Sequence, residues 1–193
     1  KPITLARYPD IGYLAMDSVM GDTAFFSSSL KSSTNWTGAS IHMKTERWSL
    51  DARIIKSHDP GSGRIILDNK ANYPLKKNWG FFINNAKAAL DKNGEWFADS
   101  AAHTLYVRMP NGDSPSLHTM EGSFRPYGIS FTGNKYIRIE DCTFFGFSRS
   151  AVRISGASDI IVSNVKALYA DGKGLEIYGN TCQIVNCFVY GAN

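Results

Sequence analysis

Two carboxylates, Asp171 and Glu176, stand close together in "ADGKGLEIYGN" (residues 170–180), with Lys173 between them. A pair of carboxyls hydrolyses a glycosidic bond when the groups lie about 5–5.5 Å apart for retention, or about 6.5–9.5 Å apart for inversion. In that chemistry Asp171 is the nucleophile or base and Glu176 the acid. The neighbouring cations, Lys173 and Arg153, offer a second chemistry, a base together with a charge that holds an anionic group. A plainer assignment competes with both. Arg153 and Glu176 then form a surface ion pair worth about 0–1 kcal/mol, and Asp171 is a turn residue beside glycines. The turns equivalent to Asp171 hold Ser148 and Asn193, so that row carries no second carboxylate.

What positions these residues is a repeat. "GISFTGN" (128–134), "AVRISGA" (151–157) and "GLEIYGN" (174–180) follow one another at a spacing of 23 residues. A period of this length marks a solenoid of stacked coils. Stacking sets Ile129 over Val152 over Leu175, and Phe131 over Ile154 over Ile177. Strand alternation then sends Ser130, Arg153 and Glu176 to the outside. A second strand repeats as "YIRIED", "DIIVSN" and "CQIVN", the third arriving one residue early. Its inward rows are Ile137/Ile160/Cys182 and Ile139/Val162/Ile184, followed by Cys142/Val165/Cys187. Asp141, Asn164 and Asn186 form a row just after it, expected to be a structural ladder that satisfies turn backbone from coil to coil. The three cysteines read as small buried hydrophobes, since Cys142 and Cys187 lie two coils apart, about 9–10 Å at strand spacing, too far for a disulfide. The architecture expected is all-β, a right-handed parallel β-helix over residues 126–193; the hand follows the crossover preference.

Residues 30–125 show no such period. "ASIHMKT" alternates, "HDPGSG" is a turn, "AKAALD" (86–91) is a possible short helix, and "EWFAD" and "TLYVR" are the arms of a hairpin. They read as a β-sandwich-like insert with its tryptophans (Trp36, Trp48, Trp79, Trp96) mostly in the core. Residues 1–29 are expected to pack on the β-helix. The net charge of +4 is mild, and a binder of nucleic acid is not expected. No stretch approaches the roughly 20 apolar residues of a membrane span. The four histidines are scattered, and Asp141, Asp159 and Asp171 fall on different sides of a coil, so neither a metal site nor a cofactor is expected.

The tail resembles the right-handed parallel β-helix proteins of the pectate-lyase-like superfamily. The front end, through "ITLARYPD" (3–10), "NWTGASIHMKTERW" (35–48) and "ALDKNGEWFADSAAHTLYV" (89–107), resembles secreted bacterial β-helix proteins in which a β-sandwich-like insert precedes the helix. The resemblance implies an extracellular or cell-surface protein and a polysaccharide or oligosaccharide partner. It implies a glycoside hydrolase or polysaccharide lyase, or, as the rival, a non-catalytic carbohydrate-binding or adhesion module. Tyr178 and Tyr190, outward in this register, are the residues expected to stack on sugar. The chain starts at Lys1 rather than Met, so a processed or excised piece is expected. Further coils after Asn193, or a neighbouring chain, are expected to cover the apolar end of the last coil.

Overall fold

The computed structural model describes residues 3–191, and the chain divides into two compact units, residues 1–119 and 120–193. The first unit contains β1 (Thr4–Leu5), β2 (Arg7–Tyr8), β3 (Leu14–Ala15), β4 (Ser18–Met20), β5 (Ala24–Phe26), β6 (Ser40–Glu46), β7 (Ser49–Asp59), β8 (Arg64–Leu67), β9 (Gly80–Asn84), β10 (Glu95–Asp99) and β11 (Thr104–Arg108). Its main sheet runs β2-β9-β6-β7-β8-β5-β4. Alternation in β6 buries Ile41 and Met43 and leaves His42 and Lys44 outside. The eleven-residue β7 pairs with both β6 and β8 and carries an irregularity between Ile55 and Ser57; such a bulge bends a strand and strengthens its twist. The sheet thereby rolls over one core. Phe25 on β5 and Phe81 on β9 touch, their ring centroids 4.9 Å apart, although three strands separate them in the sheet.

The roll also closes. β3 pairs with β9, while β4, only two residues further on, pairs with β5. The fully buried Met16 sits at the crossover. What reads in sequence as a sandwich-like insert is thus a sheet rolled until its ends meet, and residues 1–29 supply the closing strands. β1 lies parallel to β10, and β2 to β5 belong to the rolled sheet. β10 and β11 form the expected hairpin, with Glu95 opposite Arg108. The helix expected over 86–91 is a single 3-10 turn at Lys87–Ala89, short because only Ala89 is buried there and no longer apolar stripe exists to hold a helix down.

The second unit winds three coils. The first is β12 (Tyr127–Thr132), β13 (Arg138–Glu140) and β14 (Thr143–Phe147). The second is β15 (Ser150–Ser158), β16 (Ile161–Ser163) and β17 (Lys166–Ala170), and the third is β18 (Leu175–Asn180), β19 (Gln183–Val185) and β20 (Phe188–Tyr190). Corresponding strands pair in parallel as three sheets, β12-β15-β18, β13-β16-β19 and β14-β17-β20. Ile129, Val152 and Leu175 are partners in register, as are Phe131, Ile154 and Ile177, and Ile139, Val162 and Ile184. The register of the last glycine row differs from the sequence reading. Gly179 lies opposite Ala157, and Gly156, at φ +60°, is the bulged extra residue. This bulge is where the third coil becomes one residue shorter. The interior is packed best in the middle coil, where Val152, Ile154 and Val162 are fully buried.

The small residue that opens each first-sheet strand has a steric cause. A Cβ on Gly128 would stand 2.6 Å from the Ala151 carbonyl oxygen, and one on Gly174 would stand 2.3 Å from Val189 Cγ1. The corner between the third and first sheets is that tight, and it brings the outward residues of the next strand into one cluster.

Candidate functional site

The first sheet's outer face carries the cluster. Ser130, Arg153 and Glu176 are consecutive cross-strand partners, as parallel pairing of identical registers requires. Ser150 Oγ donates to Glu176 Oε2 at 3.0 Å. Lys173 Nζ stands 3.5 Å from Glu176 Oε1 and donates to the Tyr178 hydroxyl at 3.0 Å, and that hydroxyl donates to Glu176 Oε1 at 3.3 Å. Arg153 Nε is 3.9 Å from Glu176 Oε2 and its guanidinium lies 5.5 Å from the centre of the Tyr127 ring. Arg149 donates to the Tyr127 hydroxyl at 3.3 Å. Of the residues singled out in sequence, Arg153, Lys173, Glu176 and Tyr178 therefore meet in one network. Tyr127, Arg149 and Ser150 were missed. Tyr127 and Ser150 share a repeat row with Lys173, so extending the period one position back would have found those two.

The hydrogen bonds bias both groups toward their charged forms. The Ser150 hydrogen bond, aided by Lys173 and Tyr178, holds the Glu176 carboxyl below its ordinary range. The Tyr178 hydrogen bond, with Glu176 behind it, holds the Lys173 ammonium above its own. An ionised Glu176 is the wrong form for a general acid, which needs its pKa raised, and a protonated Lys173 is the wrong form for a base.

Asp171 lies exposed in the turn between β17 and β18, its backbone N–H donating to the Phe147 carbonyl at 2.8 Å. The equivalent Asn193 falls outside the described residues. Tyr190 belongs to a different face from Tyr178. It stands on the third sheet among rings in edge-to-face contact: Phe145 and Tyr169 have centroids 5.4 Å apart, and Tyr169 and Tyr190 5.5 Å apart. Tyr169 holds a left-handed backbone, φ +54°, between Gly146 and Gly191 in its row. A Cβ on Gly191 would meet the Tyr169 ring at 2.7 Å, so the glycine makes room for that ring.

Asp141, Asn164 and Asn186 occupy one turn row, and Asn164 Nδ2 donates to Asp141 Oδ1 at 3.1 Å. All three are at φ between +52° and +56°, a conformation that Asn and Asp tolerate best among residues with side chains. Asp159 is tied instead to Thr181, whose hydroxyl donates to Asp159 Oδ1 at 2.7 Å. Three carboxyls that sequence reading did not group, Asp10, Asp91 and Glu95, converge in the first unit, where the Lys92 ammonium pairs with Asp10 and offsets one of the three charges. The tryptophans divide. Trp36 is buried and stacks on Tyr8 at 5.1 Å, whereas Trp48 is 77% exposed at the β6–β7 hairpin tip. Core packing is not the role of Trp48.

Comparison with known proteins gives one match: residues 117–193 fit the family model described as right handed beta helix region. The three-sheet unit is a right-handed parallel β-helix, and the chain as a whole is all-β. No curated protein and no solved structure matches. No helix among the described residues is long and apolar enough to cross a membrane.

Proposed function

We propose that this protein is an extracellular polysaccharide-binding β-helix protein, with the first-sheet face around Tyr178 as its saccharide surface. One observation carries the reading. Tyr178 is 52% exposed, yet its hydroxyl is held between Lys173 and Glu176. A fixed, wet aromatic face with a collar of charged donors and acceptors suits a sugar ring, which presents a C–H face for stacking and hydroxyls at its edge. Phe145, Tyr169 and Tyr190 add a second group of aromatic rings, one from each coil, in edge-to-face contact on the third sheet.

Hydrolase or lyase action is the second reading. It requires Glu176 as a base rather than an acid, with Asp171, Arg153 or Lys173 assisting; the ionised state of Glu176 favours that assignment over the one expected from sequence. The test is a panel of plant and algal polysaccharides, scored for binding by affinity electrophoresis and for turnover by reducing ends and unsaturated uronates. Binding without turnover, weakened about tenfold in Tyr178→Ala and also weakened in Glu176→Gln, is the expected result. Turnover abolished in Glu176→Gln or Asp171→Asn would replace binding with catalysis. Unchanged binding in both Tyr178→Ala and Glu176→Gln would remove this face from the account.

A further inference from the structure

The three carboxyls of the first unit are brought together by strand pairing rather than by a sequence motif. β1 fastens to the start of β10: the Thr4 N–H donates to the Gly94 carbonyl at 2.9 Å, and the Ala6 N–H to the Trp96 carbonyl at 2.8 Å. Asp10 lies just past β2, and Asp91 in the loop that leads into β10, which Glu95 opens. Each of the three offers a carboxylate oxygen, and these oxygens all lie within 4.8 Å of one another. Like charges at that separation repel, and more strongly as water is withdrawn. Here it is withdrawn, for Glu95 is only 6% exposed. The Lys92 ammonium, paired with Asp10 Oδ2, offsets one charge. Arg108, opposite Glu95 in the hairpin, gives its guanidinium to the Asp91 carbonyl at 3.1 Å and makes no ion pair among the described residues. An excess of two negative charges is left.

Unmet oxygens mark the centre of the cluster. Asp10 Oδ1 is fully buried and accepts no hydrogen bond among the described residues. A buried carboxylate oxygen without a donor is costly, and folded proteins rarely leave one. Glu95 accepts the Lys92 backbone N–H at Oε2, 3.1 Å away, and its Oε1 has no donor among the described residues. The two orphaned acceptors come from segments far apart in the chain. A water would donate to both yet leave the charge; a divalent cation meets both demands. Donors that are all oxygen select a hard ion over zinc or copper. Ca²⁺ holds its ligands at about 2.3–2.6 Å, so two oxygens across the ion stand up to about 5.2 Å apart, whereas Mg²⁺, at about 2.0–2.1 Å, draws them within about 4.2 Å and demands a near-ideal octahedron. A set confined to 4.8 Å falls inside the calcium span.

We infer that Asp10, Asp91 and Glu95 form a Ca²⁺ site that ties the segment ending at Asp10 to the start of β10, with the Lys92 ammonium as the ion's built-in competitor. The site shares no residue with the Tyr178 face and rests on no part of the saccharide reading. The test strips the intact chain with EDTA, dialyses it, and titrates it by calorimetry with CaCl₂ and, separately, with MgCl₂; melting is followed with and without Ca²⁺. One Ca²⁺ binds with a Kd between about 10⁻⁶ and 10⁻³ M, and Mg²⁺ binds about tenfold more weakly or worse. The melting temperature rises with free Ca²⁺, as mass action requires. Asp91 is exposed, so Asp91→Asn keeps the parent's circular dichroism spectrum while its Ca²⁺ affinity falls about tenfold or more. Glu95→Gln, which retains an acceptor for the Lys92 N–H, weakens binding as well. Lys92→Met removes the competing ammonium and tightens Ca²⁺ binding, a gain that a plain surface ion pair does not give. Absence of saturable Ca²⁺ binding, Mg²⁺ binding as tight as Ca²⁺, full affinity in Asp91→Asn, or weaker binding in Lys92→Met would overturn the assignment.

Discussion

At the scale of single residues, the turn rows show how a side chain answers a backbone demand. Asn164 sits at φ +53° and ties its amide to Asp141. A β-branched residue there must bear the left-handed conformation, which costs about 1–2 kcal/mol for an L-residue, and it also loses the amide bond. Asn164→Val is therefore expected to lower unfolding free energy by about 2 kcal/mol, while Asn164→Gly stays within about 1 kcal/mol of the parent. Urea denaturation reads both, and a Val variant as stable as the Gly variant would reject the strain argument. Thr181 shows the compensated case: its φ is +52°, and its hydroxyl both accepts from the Asp159 N–H and donates to the Asp159 carboxylate. The row Asp141/Asn164/Asn186 was legible as a ladder from its spacing alone. Its dihedral angle was not, because nothing in one period of sequence states which turn residue must cross to positive φ.

Elements in the β-helix differ in how much they hold. Ile154 on β15 is fully buried with a coil on either side, whereas Ile184 on β19 is 54% exposed. Removing a buried isoleucine side chain costs about 2–5 kcal/mol, from lost transfer energy plus the residual cavity. Ile154→Ala is thus expected to fall in that range, and Ile184→Ala to cost about 1 kcal/mol or less. Comparable losses in the two variants, read from denaturant midpoints at constant m, would mean that the third coil is as well packed as the second. Strand rows such as Ile129/Val152/Leu175 were legible because a parallel coil of fixed length places equal positions side by side. The offset at Gly156 was not, since a single bulged glycine looks in sequence like an ordinary member of the repeat.

For the molecule as a whole, the loss of stability from about pH 7.5 to 5 should originate in the first unit, which holds the two histidines that burial shifts. His58 is buried and its Nδ1 accepts from the Trp36 N–H at 3.3 Å, and burial pushes its pKa down. Burial lowers His42 likewise, with Arg7 adding repulsion of the charged form. A base whose folded pKa lies below its unfolded one contributes fully above the unfolded value, about 6.5. That contribution falls away as pH drops through 6.5 toward the folded pKa, because the unfolded chain takes up protons first. Unfolding midpoints should fall between pH 7.5 and 5, with a shallower slope in His58→Gln, whose amide oxygen still accepts from Trp36; a flat or rising profile would contradict the assignment. By itself the sequence determined the β-helix, because stacking is a local rule repeated every 23 residues and each row reads directly from the period. Only the tertiary structure decided that β3 and β4, of two and three residues, close a rolled sheet, that Trp48 stands in water, and that Ser150 joins Lys173 and Tyr178 around Glu176. The physical reason is that these depend on contacts between segments distant in sequence, where short strands and isolated side chains carry no pattern of their own and the energy that places them comes from the partner.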